Sequence, residues 1–190
     1  MSRPQARPGQ DVIDVLIEQH NQIRDLFDEV ENSLGDARKH AFERLVRLLA
    51  AHETAEEEIV HPMARRAIPG GTEMVDDRLR EEREAKKKLA RLEHMDPQSP
   101  AFLTALDELR VAVLTHARAE ERYEFHRLRD ELSDAQRRGM ATAVKVAGAV
   151  APTHPHPGVE SATANLILGP VAAIADRVRD LIRNTTAKRR

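Results

Sequence analysis

The sequence predicts an all-α protein, an antiparallel up-down-up-down four-helix bundle with a C-terminal helical extension. Three observations carry that expectation. Aromatic residues make up only 3% of the 190 residues while charged residues make up 33%, and the abundant Ala, Leu, Glu and Arg favour helix over sheet. Four long segments repeat apolar residues at helical period. Short turn signals separate them, and short connections make successive helices antiparallel neighbours.

Each element has its own signal. Helix one is expected over about Asp11 to Asn32, ending near Gly35, and helix two from about Asp36 to Ala67, stopped by Pro69-Gly70-Gly71. Helix three takes Thr72 as N-cap and ends near His94, before Asp96-Pro97. Helix four opens with Ser99 as N-cap and Pro100 at the first helical position, where a missing N–H costs nothing. The bundle is thus expected over 11–132. A basic, partly helical extension follows over 133–190: a capping box at Ser133-x-x-Gln136, a Pro/His-rich break at 151–158, and an amphipathic helix from Pro170 to Arg183.

Composition excludes several chemistries. The chain contains no cysteine, so a disulfide framework, a thiolate zinc site and an iron–sulfur cluster are all ruled out. No run approaches eighteen apolar residues, so no membrane span is expected. The first ten residues lack the apolar stretch of a signal peptide, and a cytoplasmic location is the expectation. Formal net charge is −2, which argues against nucleic acid as a partner. The charge is uneven: residues 133–190 carry nine Lys/Arg and four acids, so a basic tail could dock on an acidic body.

The core-facing stripes carry the chemistry. Helix one reads Ile13, Leu16, His20, Ile23, Phe27; helix two Leu45, Leu49, His52, Glu56, Ile59, Met63; helix four Leu106, Leu109, Val113, His116, Glu120, Tyr123. Polar residues stand where Leu is expected. A carboxylate in an apolar core costs several kcal/mol, roughly, unless paired or metal-bound. His52/Glu56 and His116/Glu120 share the i, i+4 spacing that stacks side chains on one face. Cations resolve the cost, since an ion accepts imidazole nitrogen and carboxylate oxygen together. His40, His61, His94 and His126 fall off the stripe or at helix ends and are read as solvated. His154 and His156 lie in the Pro-rich break.

These residues resemble the hemerythrin-like, or HHE cation-binding, family: His20; His52-Glu53-Thr54-Ala55-Glu56-Glu57-Glu58-Ile59-Val60-His61-Pro62; and His116-Ala117-Arg118-Ala119-Glu120-Glu121. The similarity covers about 11–132, and the tail more loosely resembles extensions of mycobacterial and actinobacterial members. It implies a non-haem centre of two iron ions with oxo or hydroxo and carboxylate bridges. It also implies small-molecule partners: oxygen, nitric oxide and hydrogen peroxide. The family expects histidine on helix three, where this chain reads Leu79-Arg80-Glu81-Glu82-Arg83-Glu84. Glu82 falls on the stripe and is expected as the ligand, with Glu81 the alternative. Tyr123 is either a core tyrosine bonded to a ligand carboxylate or a phenolate ligand. Counted in turns, Glu82 and Glu120 differ in height by roughly 5–10 Å, to be absorbed by an offset of helix four or by the loop at 93–99.

The expected ligand set, His20, His52, Glu56, Glu82, His116, Glu120 and Tyr123, is rich in oxygen, which stabilises ferric over ferrous iron. That points away from reversible oxygen carriage, and toward a peroxide-reactive (catalase-like) centre in oxidative or nitrosative defence. The alternative is an oxygen, nitric oxide or iron sensor or store without turnover.

Overall fold

The computed structural model describes residues 9–150, and all regular structure among them is helical. In chain order the helices are α1 (Val12–Asn32), α2 (Gly35–Ala55), α3 (His61–Ala67), α4 (Gly71–Glu93), α5 (Pro100–Ala119), α6 (Phe125–Glu131) and α7 (Asp134–Val150). Two π turns, Glu56–Val60 and Glu120–Glu124, join α2 to α3 and α5 to α6. The expected second and fourth helices are therefore each interrupted once, just below their carboxylate.

The helix starts follow local chemistry. Asp11 caps α1, accepting from the N–H groups of Ile13 and Asp14 while Asp14 accepts from the Asp11 N–H. Ser99 accepts from the Phe102 N–H at 3.1 Å, and Ser133 and Gln136 form the expected reciprocal box before α7. Helix α4 starts two residues before expectation, with Gly70 rather than Thr72 at the cap. Gly70 supplies the turn at φ 74°, a conformation that costs other residues a Cβ clash. Gly71 then packs against α3 so closely that a Cβ there would stand 2.3 Å from the Ala64 carbonyl oxygen. At the other end, buried Arg38 donates to the carbonyls of Val30, Ser33 and Pro97, tying the α1–α2 turn to the α4–α5 loop.

The core divides into two apolar clusters with a polar layer between them. One holds Ile23, Phe27, Leu45, Leu49, Leu89 and Phe102; the other holds Val12, Leu16, Val60, Val75, Phe125 and Leu128. Along α1 the passage from one to the other goes through His20. On the remaining rods it goes through His52 and Glu56, through Glu82, and through His116 and Glu120.

Each π turn inserts one residue, closed by an N–H that reaches back five positions: His61 to Glu56, and Phe125 to Glu120. One extra residue turns everything after it by about 100°. Val60, His61 and Ala64 consequently replace the expected Ile59 and Met63 in the core, and Glu124, Phe125 and Leu128 replace Tyr123.

The segment after Leu132 joins the same core. Helix α7 packs on α1 and α2, burying Met140, Val144 and Ala147 against Val12 and Leu16. Arg137 anchors it, donating to Asp11 at 2.8 Å and to the Leu132 carbonyl. The expected break at 151–158, with His154 and His156, and the expected helix from Pro170 to Arg183 lie outside the described residues. No described helix is long and apolar enough to cross a membrane.

Gly71→Ala should destabilise the protein by about 1–3 kcal/mol in urea unfolding, because backbone must move to admit the methyl group. Gly139→Ala, inside α7 with nothing within 4 Å of the new Cβ, should stabilise it by about 0.5–1 kcal/mol.

Candidate metal centre

The polar layer converges on two carboxylates. Glu56 and Glu120 are both 0% exposed, and two sets of donors form around them. His20, His52, Glu56 and Glu120 offer one ligand atom each within 4.8 Å of one another, and so do Glu56, His61, Glu82 and Glu120. The oxygens of Glu120 face different ways: Oε2 is 3.4 Å from His20 Nε2, while Oε1 is 3.4 Å from His116 Nε2. Glu56 Oε1 stands 3.3 Å from His52 Nε2.

These atoms lack hydrogen bonds. Both oxygens of Glu56 and of Glu120, Glu82 Oε2, Glu124 Oε2 and His116 Nε2 are buried without a hydrogen-bond partner. Each such group costs about 1–3 kcal/mol, against a typical domain stability of about 5–15 kcal/mol. The imidazole arrangement makes the same point. His20 Nδ1 donates to Glu121 at 2.8 Å and His52 Nδ1 to Gln19 at 2.9 Å, leaving two lone-pair-bearing Nε2 atoms facing each other at 3.1 Å. Two imidazoles bound side by side to one ion at about 2.1 Å place their nitrogens about 3 Å apart. His116 is held the same way, its Nδ1 donating to Glu81 at 2.9 Å. Outer hydrogen bonds of this kind fix tautomer and ring direction in metal sites. The donor set therefore fits metal.

The electrostatics follow from burial. Desolvation pushes Glu56 well above the usual carboxylate range, and the nearby Glu120 pushes it further. Burial works against charge on Glu120 too, but His116 overcomes it and holds that carboxyl well below its ordinary value. Burial, aided by His20, keeps His52 neutral. Desolvation would lower His61 as well. Its donated bonds to Glu124 at 3.2 Å and Glu82 at 2.6 Å reverse that and raise it. Beside the centre, buried Lys86 pairs with Glu57 and lies 3.6 Å from Glu53. Burial pushes Glu53 up to about 8 in spite of that lysine.

Of the residues expected from sequence, His20, His52, Glu56, Glu82, His116 and Glu120 come together here. The expected height gap between Glu82 and Glu120 does not arise, since both contribute to one tetrad. Glu81, the alternative to Glu82, is instead the partner of His116. Two expectations are corrected. Tyr123 is 55% exposed, its ring under the Arg122 guanidinium at 5.4 Å, because it lies within the π turn Glu120–Glu124, which rotates it outward. It neither faces the centre nor bonds a ligand carboxylate. His61, read as solvated, is 2% exposed and part of the second tetrad. Glu124 was missed for the same reason. A signal existed: Phe125, Leu128 and Leu132 continue the apolar stripe one position out of step with Glu120. His40, His94 and His126 are exposed as expected.

A buried His/carboxylate cluster at the waist of a helical bundle defines a cation-binding helical protein. The description "Hemerythrin HHE cation binding domain" matches residues 11–128, and the chain belongs to that family. An uncharacterized hemerythrin-like protein of Schizosaccharomyces pombe is 25% identical over 90% of this chain and 86% of its own length. A protein of Nostoc sp. named a DNA nickase is 33% identical over 70% of this chain, which spans only 38% of that protein's length. Among solved structures, an HHE cation binding domain-containing protein of Mycobacterium kansasii superposes with a TM-score of 0.65. It shares 19% identity and covers 74% of this chain and 86% of its own, a likeness of fold.

A metal at a thousandfold excess over its Kd contributes about 4 kcal/mol. At roughly 2–4 °C per kcal/mol for a chain this size, chelator treatment should lower the melting temperature by roughly 8–16 °C, read by circular dichroism. In the chelated protein Glu53 adds a pH dependence of defined sign. Both states hold its proton below about 4.5, and between 4.5 and 8 only the folded state does. Stability therefore falls as pH rises through that window and levels above it. Glu53→Gln should flatten the fall by up to one proton, measured by urea unfolding at pH 5 to 8.

Proposed function

We propose that the chain holds two iron ions around Glu56 and Glu120 and reacts with hydrogen peroxide, a catalase-like activity serving oxidative or nitrosative stress defence. The observation that carries the reading is that both donor tetrads share the same two carboxylates. A carboxylate common to two donor sets suits a pair of ions, and imidazole mixed with carboxylate suits iron, with manganese and zinc as competitors. Oxygen donors favour ferric iron where they gather, which disfavours reversible oxygen carriage.

The iron would supply the redox capacity, and the chain's own residues supply access and orientation. A cavity of about 20 Å³ opens on the centre, walled by His20, His52, His116, Ile23, Leu49 and Glu53. It is about the size of one water-sized molecule. Its apolar side excludes bulk water, and Glu53 offers a hydrogen-bond partner to a guest that carries protons, as peroxide does. On the outer side of His116, a groove between α4 and α5 runs past Glu81, Val111 and Thr115 to solvent.

A second reading, a sensor or store without turnover, is favoured by the enclosure of the donors: His20, Glu56, His61, Glu82 and Glu120 are all within 2% of full burial.

Metal analysis should find two irons per chain, and the iron-loaded protein should evolve oxygen from peroxide at an oxygen electrode. Glu56→Ala should cut the iron to one or none and bring oxygen evolution to background. Iron-replete wild-type protein that evolves no oxygen would overturn turnover in favour of the sensor or store.

A further inference from the structure

Because Glu56 and Glu120 belong to both tetrads, the two half-sites differ only in what each adds. One adds His20 and His52, two imidazoles. The other adds His61 and a carboxylate, Glu82, with His116 Nε2 3.9 Å from that carboxylate.

The difference grows one layer outward. His61 is backed by Glu124, which is 0% exposed and keeps its second oxygen without a hydrogen-bond partner. His52 is backed by the neutral amide of Gln19. His20 is backed by Glu121, but that side chain is 35% exposed, so water and salt screen it. The positive charge of Lys86 nearby is engaged by Glu57 and Glu53. The two buried carboxylates that contact His61 (Glu82 and Glu124) thus stand on one half, while the buried Glu53 that lines the cavity with His20 and His52 faces Lys86.

We propose that the centre is built for two unlike ions: a hard trivalent ion in the His61–Glu82 half, and a divalent, more readily exchanged ion in the His20–His52 half. The inference rests on the two-ion reading above and adds which ion each half takes. Its physics is charge and hardness. An extra anionic oxygen favours each additional positive charge on the ion it faces, and two imidazoles with shared carboxylates suit a softer divalent ion. A buried carboxylate behind an imidazole also strengthens that imidazole as a donor.

Redox-inert probes separate the halves without any electron transfer. The full-length protein, stripped of metal, is loaded with equimolar gallium(III) citrate and zinc(II). Metal analysis then gives the total, and anomalous diffraction at the two absorption edges gives the occupant of each half. The expected result is one gallium and one zinc per chain. The gallium-to-zinc ratio should be roughly tenfold or more higher at His61–Glu82 than at His20–His52. Two ions per chain with the metals evenly mixed would overturn the asymmetry while leaving the two-ion reading intact. Fewer than two would overturn both. Glu82→Gln, checked for native helicity, should hold two ions with the preference lost. Glu124→Gln, which leaves every atom of both tetrads in place, should weaken the preference without abolishing it. A preference unchanged in both variants would overturn the proposal.

Discussion

Glu56 and Glu120 share one dry volume in the middle of a helical core, each raising the cost of charge on the other, and neither finding a hydrogen bond among the described residues. Most of the surrounding architecture is intelligible as a response to that pair. Two apolar clusters close above and below it, four rods each deliver a donor to it, and an outer ring of Gln19, Glu81, Glu121 and Glu124 orients the imidazoles that face it. A purely apolar bundle of the same length would need none of these devices. The fold accepts a destabilised waist in return for donors that converge on one volume.

Much of this was legible in the sequence because an α-helix converts spacing into direction. His20, His52, Glu56, His116 and Glu120 fell on the stripes by simple period, and Glu82 by its place between Val75 and Leu89. The caps at Ser99 and Ser133 were readable because side-chain oxygens at helix starts have few other uses, whereas Asp11, expected as the start of helix one, is its cap, and Gly70 takes the place expected of Thr72. What was not legible is what a constant period cannot express. The π turns shift register by one residue, so His61 and Glu124 enter and Tyr123 leaves, and only the out-of-step stripe of Phe125, Leu128 and Leu132 records the shift in residue types. The close approach of Gly71 to Ala64 and the burial of Lys86 between two acids depend on how helices pack, which periodicity does not report.

The family match and the packing boundary differ. The matched region ends at residue 128, yet α7 lays Met140 and Val144 on the helix that carries His20. The helical segment after Leu132 is thus part of the wall supporting the centre, and the charge contrast along the chain does not mark where the core stops.

The π turns also say something about how such a centre changes over time. A helix cannot gradually rotate a side chain inward, because neighbouring positions point about 100° apart. Inserting or deleting a single residue does it in one step for everything downstream. A π turn absorbs one such inserted residue: His61 stands where the fourth residue after Glu56 would stand in a continuous helix. Deleting one of residues 57–60 would therefore keep it facing the centre, whereas straightening the turn with every residue kept would rotate it outward.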